Sequence, residues 1–150
     1  MKISFPEKFL GSGFFTGYIP FASGTFGSLA ALLVYYIPGF EKLYIIIPAI
    51  LLAASYGIFI AGKFEKVYGK DPSECTIDEV AGMWISLLFL PKNLILSLIA
   101  FVIWRAMDII KPYPVHRLED LPGGWGIMLD DIAAALYSLA IVHIIYFYVF

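Results

Sequence analysis

Long apolar stretches separated by short polar segments dominate the chain. Three of them are long enough to cross a bilayer, which takes about 20 apolar residues. They cover residues 43–62, 93–110 and 132–150. Two shorter stretches, 26–37 and 80–90, are marginal alone. Because a backbone in lipid must satisfy its own hydrogen bonds, we expect helices throughout. The pattern predicts an all-α, membrane-embedded bundle with short or broken helices, forming one domain over residues 1–150.

Prolines interrupt two of these stretches. Pro48 lies inside 43–62, where we expect it to kink the helix. Residues 80–90 and 93–110 are separated by Pro91, Lys92 and Asn93. This break predicts either a helical hairpin or a segment that enters the membrane only part-way.

The basic residues distinguish between these alternatives. If 80–110 returns to the face that it left, the N-terminus and the loops 63–79 and 105–131 share one side. That side then carries eight of the ten Lys and Arg residues. Since basic residues favour the cytoplasmic side of a membrane, the bias predicts the hairpin, cytoplasmic polar loops and a C-terminus across the membrane.

Composition supports a membrane location and excludes several classes of function. Hydrophobic residues make up 61% of the chain and charged residues 15%, and the mean hydropathy is +0.85. In soluble proteins, roughly 45–50% of the residues are hydrophobic and about 25% are charged. The net charge of −2 offers no basic patch for nucleic acid, and the lone Cys75 excludes an internal disulfide. The N-terminus does not resemble a cleaved signal peptide, so we expect Met1 to begin the mature protein.

Ten of the twelve acidic residues fall within 65–79 and 108–131, and we expect these two polar loops to meet. In the first, Asp78 and Glu79 precede an apolar helix. Thr76 and Glu79 also fit a capping box, so a purely structural role stays open. Two adjacent carboxylates beside a membrane nevertheless require a counter-charge, which a divalent cation would supply.

Three aspartates of the second loop indicate chemistry more strongly. Asp130 and Asp131 lie three and four residues into an apolar run, where an unpaired carboxylate is costly, although a helix start is the structural alternative. Asp108 lies at the C-terminal end of an apolar helix, where an anion opposes the helix dipole. An ionisable residue at membrane depth is a functional candidate, and an ion pair with Lys111 is the simpler alternative.

Residues 23–32 form a small-residue turn that opens a helix. Gly24 and Gly27 allow close backbone approach, Thr25 and Ser28 provide hydroxyls, and the helix N-terminus offers free N–H groups to a phosphate. An N-cap role for either hydroxyl is the alternative. Carboxylates suited to Mg²⁺, together with cationic side chains and these donors, favour phosphoryl chemistry.

Four stretches in order resemble the motif blocks of the phosphatidylglycerophosphatase A family. They are GTFGSLAALL, DPSECTIDEVAGMW, RAMDIIKPYPV and GGWGIMLDDIAAA, within residues 24–135. Ser23, Met107 and Ala135 depart from the family's usual residues, all at apolar or turn positions. The resemblance implies an all-helical fold and Mg²⁺-dependent hydrolysis of phosphatidylglycerophosphate to phosphatidylglycerol and inorganic phosphate. It also implies the inner bacterial membrane as the location, and the charge bias predicts a site on its cytoplasmic face.

These observations assign roles to specific residues. The catalytic and metal-binding set is Asp78, Glu79, Asp108, Asp130 and Asp131, and the phosphate-binding set is Thr25, Ser28, Lys111 and Arg105. A basic rim of Lys63, Lys66 and Lys70 is expected to attract the anionic lipid headgroup. Whether water or an aspartate attacks phosphorus, and the oligomeric state, stay open. The alternative function is a small ion-binding membrane transporter or scaffold, although the repeat halves typical of transporters are not visible.

Overall fold

The computed structural model describes residues 2–150, and this part of the chain is helical without strands. The helices, with one 3₁₀ turn at Thr16–Tyr18, are α1 (Phe5–Gly11), α2 (Ser23–Tyr35), α3 (Leu43–Tyr68), α4 (Ile77–Ser86), α5 (Leu94–Ile110), α6 (Val115–Leu118) and α7 (Gly124–Val149). The predicted all-α fold is confirmed. Each predicted apolar stretch overlaps one of these helices.

Within residues 2–150, α3 and α7 are the two helices long and apolar enough to cross a membrane. Each has 26 residues, or about 39 Å at 1.5 Å per residue, against a hydrocarbon core of roughly 30 Å. In the most apolar part of each helix, 22% of the residues are buried inside the protein. Most of both surfaces is therefore available to lipid.

The third stretch predicted to span forms a shorter helix than the other two. Helix α5 has 17 residues, or about 26 Å, slightly less than the hydrocarbon thickness. The Asn93 side chain caps its start by accepting a 3.0 Å hydrogen bond from the Leu96 N–H. Lys111 ends it in the left-handed region, directly before Pro112, which cannot continue a helix. Helix α2, with 13 residues, is shorter still.

Helices α4 and α5 form the predicted hairpin, because the start of α4 and the end of α5 meet beside α7. Asp78 on α4 lies close to Asp131, and Lys111 after α5 lies 3.0 Å from Asp130. The core of the bundle lies between α2, α4, α5 and α7, where Trp104 is fully buried. The hairpin therefore brings the two polar loops together, as the sequence predicted.

Close approach between α3 and α7 depends on glycine. A Cβ at Gly124 would overlap the backbone carbonyl of Ile58, and a Cβ at Gly57 would lie 2.7 Å from the Met128 sulfur. Residues 57–62 of α3 thus face residues 124–128 of α7, so the two long helices run antiparallel. This contact fixes the position of Asp130 and Asp131 along the axis of α3.

We predict that Gly124→Ala destabilises the fold, because the new methyl group meets a backbone carbonyl that cannot rotate away. The expected loss is about 1–3 kcal/mol of the free energy of unfolding. Gly62→Ala is the matched control on the same contact, since its Cβ would lie 3.6 Å from the Gly124 nitrogen, an ordinary contact. Thermal unfolding in detergent, followed by circular dichroism, measures both; an equal loss in the two variants would contradict this packing.

Candidate metal and phosphate site

Three carboxylates from two helices form a compact buried group. Asp78 and Glu79 lie in the first turn of α4, and Asp131 lies on α7. One oxygen from each lies within 4.8 Å of the others, and Asp78 and Asp131 are only 5% and 2% exposed. Each side chain also has one buried oxygen without a hydrogen-bond partner among residues 2–150. We call these three residues the carboxylate cluster.

The electrostatics of the carboxylate cluster are unfavourable without a cation. Burial raises the pKa of Asp78 well above its ordinary value, and the nearby charge of Asp131 adds to the effect. Burial likewise raises the pKa of Glu79, with further contributions from Asp78 and Asp108. Buried oxygens without partners, all from carboxylates, fit a hard cation such as Mg²⁺. The residues present therefore fit the divalent metal that the sequence predicted.

The other two predicted aspartates face a lysine. The Lys111 Nζ lies 3.0 Å from Asp130 Oδ2, 3.2 Å from Asp108 Oδ1 and 3.5 Å from Asp131 Oδ1. Burial lowers the pKa of Lys111, but the charges of Asp131, Asp108 and Asp130 outweigh it and raise this pKa above its ordinary value. Lys111 is therefore a fixed ammonium ion. Asp131 contacts both Lys111 and the carboxylate cluster.

Asp108 is also paired with Arg105, whose Nη1 lies 2.5 Å from Asp108 Oδ2. The ion pair with Lys111 that the sequence left as a simpler alternative is thus present, together with a second one. Both oxygens of Asp108 are occupied by cations. This explains how an anion is tolerated at the C-terminal end of α5, where it opposes the helix dipole.

The helix-start alternative fails for the α7 pair, and for the α4 pair its capping box is absent although both carboxylates lie in the favourable first turn. Helix α7 begins at Gly124, so Asp130 and Asp131 lie nearly two turns inside it, beyond the reach of the helix dipole. Thr76 does precede α4, but its side chain makes no capping hydrogen bond and lies 3.1 Å from the Thr16 hydroxyl. The capping box with Glu79 is therefore not formed.

The first turn of α2 lies directly against the charged groups. A Cβ at Gly24 would lie 2.7 Å from Glu79 Oε1 and 3.0 Å from Arg105 Nη2. Thr25 is half-buried in the same turn, and no side chain caps the helix N-terminus. The sequence expected Gly24 to make room for a ligand; in the structure it makes room for the Glu79 and Arg105 side chains.

Ser28 lies one turn further on and faces the core. Its fully buried hydroxyl donates to the Gly24 carbonyl at 2.9 Å and accepts from Trp104 Nε1 at 2.9 Å. It therefore links α2 to α5 behind the site. Sequence reasoning did not single out Trp104, although a polar ring N–H next to Arg105 in an apolar helix was a signal for it.

The three rim lysines have different surroundings. Lys63 is paired with Glu7 at 2.6 Å, and Lys66 is exposed. Lys70 lines a cavity of about 270 Å³ that reaches Asp130. The acidic residues of that cavity's wall are Glu65, Asp71, Glu119, Asp120 and Asp130. This opening is therefore better suited to a cation than to an anionic headgroup, and the residues predicted to bind phosphate lie elsewhere, on α2 and at the end of α5.

Comparisons with known proteins show which family and which relatives the chain resembles. The sequence profile of the family "Phosphatidylglycerophosphatase A" matches residues 9–146. A Bacteroides thetaiotaomicron protein provisionally named a phosphatidylinositol-3-phosphatase is 37% identical over 93% of this chain and 92% of its own. Phosphatidylglycerophosphatase A of Escherichia coli K12 is 36% identical over 97% and 86%, and that of Haemophilus influenzae is 33% identical over 95% and 90%. No solved structure matches the chain significantly.

We predict that Asp78→Asn stabilises the metal-free protein, because it removes a carboxyl group whose ionised form is disfavoured by burial and by the charge of Asp131. The expected gain in EDTA is on the order of 1 kcal/mol. Mg²⁺ should stabilise the wild type by about 2.7 kcal/mol at roughly 100 times its Kd, and the variant much less. Thermal unfolding with EDTA or Mg²⁺ measures both effects.

The control is Glu41→Gln, which removes one negative charge beside Lys92, in the turn before α3 and outside the acidic cavity. It should shift the EDTA and Mg²⁺ midpoints equally and slightly, because only one partly exposed ion pair is lost. Wild-type protein whose midpoint does not respond to Mg²⁺ would argue against a metal at the carboxylate cluster.

Proposed function

The chain belongs to the phosphatidylglycerophosphatase A family, and we propose that it is a Mg²⁺-dependent lipid phosphatase that converts phosphatidylglycerophosphate to phosphatidylglycerol and inorganic phosphate. The observation that carries this proposal is the buried carboxylate cluster beside Lys111 and Arg105. Family membership favours an enzyme over the ion-binding transporter or scaffold that the sequence left open.

We further propose that the enzyme is a multi-pass protein of the bacterial inner membrane, with α3 and α7 crossing the bilayer. The length and apolar surface of these helices support this arrangement. The bias of basic residues supports a site that faces the cytoplasm.

In this proposal, Asp78, Glu79 and Asp131 hold Mg²⁺ through their buried oxygens. When bound, Mg²⁺ supplies Lewis-acid polarisation of the phosphoryl group. Asp108 and Asp130 complete the acidic set by holding Lys111, and Asp108 also orients Arg105. The five predicted carboxylates thus act in two groups that Asp131 joins.

The substrate phosphate would lie between the cations and α2. Lys111 and Arg105 neutralise its charge, and the Thr25 hydroxyl with the N–H groups of the first turn of α2 donates hydrogen bonds. Ser28 holds that turn in place through Trp104. We propose water as the nucleophile, so that its oxygen bonds to phosphorus as the P–O bond to the glycerol headgroup breaks. Trapping of a phosphorylated aspartate would overturn this choice.

The relatives named above carry the names of two different lipid substrates, but the bond to be hydrolysed is of the same type in both. Phosphatidylglycerophosphate and phosphatidylinositol-3-phosphate both carry a phosphomonoester on the polyol headgroup of a phospholipid. The proposed chemistry therefore serves either lipid. The assay has to include both.

The experiment measures phosphate release from each lipid in mixed micelles, with Mg²⁺ or EDTA. We expect release from phosphatidylglycerophosphate that requires Mg²⁺, and a loss of about 100-fold or more in Asp131→Asn, because transition-state charge stabilisation is lost. The Glu41→Gln variant, which removes a carboxylate outside this site, should keep its rate. Faster release from the phosphoinositide would reassign the substrate, and a wild-type rate in Asp131→Asn would remove the carboxylate cluster from the mechanism.

We predict that Gly24→Ala lowers the rate of hydrolysis without unfolding the protein. The added methyl group would displace the ends of Glu79 and Arg105, which are flexible side chains rather than backbone. Misplacement by about 1 Å can cost up to roughly 100-fold in rate. Steady-state kinetics and circular dichroism measure the two effects, with Gly62→Ala as the control for a helical glycine in ordinary contact. An unchanged rate in Gly24→Ala would separate α2 from the reaction.

A further inference from the structure

The segment before α2 carries an exposed aromatic surface that the proposed reaction does not use. Its members are between 37% and 72% exposed, and we call them the aromatic patch: Phe5, Phe9, Phe14, Phe15 and Tyr18. Their rings form a continuous group, with centroids 5.5 Å apart for Phe5 and Phe15 and 5.1 Å apart for Phe9 and Phe14. Five neighbouring aromatic side chains left on the outside of a small protein point to a binding surface.

The backbone beneath the aromatic patch is held in an unfavourable conformation. Gly13, Phe14 and Phe15 have φ values of 57°, 61° and 68°, a left-handed run that bulky residues rarely adopt. The Ser12 hydroxyl fixes this turn by accepting a 2.9 Å hydrogen bond from the Phe15 N–H. The Thr16 hydroxyl adds another by donating to the Gly13 carbonyl at 2.9 Å. The fold therefore maintains strain that keeps two phenylalanines exposed, which favours a functional explanation.

Helix α1 and Tyr18, at the edges of the aromatic patch, lie at the level where α3 changes from apolar to charged. Phe14 instead lines an apolar cavity with Leu52 and Ala53, nearer the middle of α3. A Cβ at Gly11 would lie 2.6 Å from the Phe64 ring, and Glu7 pairs with Lys63. The apolar run of α3 ends at Gly62, so these contacts attach α1 to the end of that run. If α3 crosses the bilayer, its change of character marks the boundary between acyl chains and headgroups.

Other residues at this level have the composition expected of such a boundary. The Tyr18 hydroxyl lies 2.9 Å from the Tyr68 hydroxyl, and Trp125 is 54% exposed at the start of α7. Tyr and Trp are typical of membrane interfaces. Lys2, three residues before Phe5, and Lys66, two residues before Tyr68, are both exposed. They would attract anionic headgroups. An apolar aromatic surface with flanking lysines is complementary to lipid.

We propose that the aromatic patch inserts into the headgroup–acyl boundary of a phospholipid bilayer. α1 and the strained turn then form an interfacial anchor that lies in the plane of the membrane beside α3. This inference does not depend on the proposed reaction, but it rests on the proposed crossing of the bilayer by α3, which the label at Leu52 tests separately. A second copy of the chain covering the same surface is the competing occupant.

The experiment places a nitroxide spin label in the full-length protein, reconstituted in vesicles of phosphatidylcholine with a minority of phosphatidylglycerol. Cys75 is buried, so single cysteines can be introduced with little background labelling, which the wild type measures. Labels go at Phe5→Cys and Phe15→Cys. Leu52→Cys, on the exposed apolar face of α3, is the deep control, and the exposed Asp120→Cys is the aqueous one.

We expect the ratio of oxygen to nickel-chelate accessibility at both patch positions to exceed that of Asp120→Cys and to fall below that of Leu52→Cys. A ratio equal to the aqueous control would overturn the proposal. So would low accessibility to both reagents with spin–spin broadening, which indicates a second copy. Phe5 lies in ordinary helix, so its label keeps the test decisive if the replacement of Phe15 disturbs the turn.

Discussion

The structure depends on how a mostly apolar bundle holds five carboxylates in one place. Asp108, Asp130 and Asp131 surround the Lys111 ammonium, and Arg105 adds a second cation to Asp108. Asp78 and Glu79 form no ion pair among the described residues, and each has one buried oxygen without a hydrogen-bond partner. Isolated charges in such surroundings are very costly. An additional cation would therefore stabilise the arrangement in its charged form, as the proposed metal dependence requires.

The hairpin of α4 and α5 is what brings these charges together. The start of α4 contributes two carboxylates, the end of α5 contributes Asp108 and Lys111, and α7 packs against both helices with Asp130 and Asp131. Trp104 holds α2 against the same region through Ser28. The charged residues are far apart in sequence but lie at one level of the bundle. A shift of one helix along its axis would separate the carboxylate cluster from Lys111.

The pattern of apolar residues was sufficient to predict the helices. The chemistry of individual residues was sufficient to predict most members of the candidate site. Asp78, Asp108 and Asp131 could be identified because an unpaired carboxylate in or beside an apolar segment is costly. The division of the five carboxylates into a metal-facing group and a lysine-facing group could not be predicted. Whether Asp108 faces a lysine or a metal depends on the rotation of α5 against α7. Ser28 shows the same limit: a hydroxyl one turn after Gly24 fits a phosphate site, yet its direction depends on the buried Trp104. The start of α7 at Gly124 was also missed, since Gly-Gly-Trp-Gly is a poor helix sequence that tertiary packing overrides.

The aromatic patch and the carboxylate cluster are connected through the start of α4. The Thr76 N–H donates to the Gly11 carbonyl at 3.0 Å, and its hydroxyl lies 3.1 Å from that of Thr16. A Cβ at Gly17 would overlap the backbone of Glu74, so the two segments are in direct contact. The segment proposed to lie in the membrane interface is thus hydrogen-bonded to the residue directly before Ile77 and Asp78. If the aromatic patch lies in the membrane interface as proposed, these contacts fix the distance between the bilayer surface and the carboxylate cluster. A lipid phosphatase needs this, since its substrate phosphate stays within one headgroup length of the membrane.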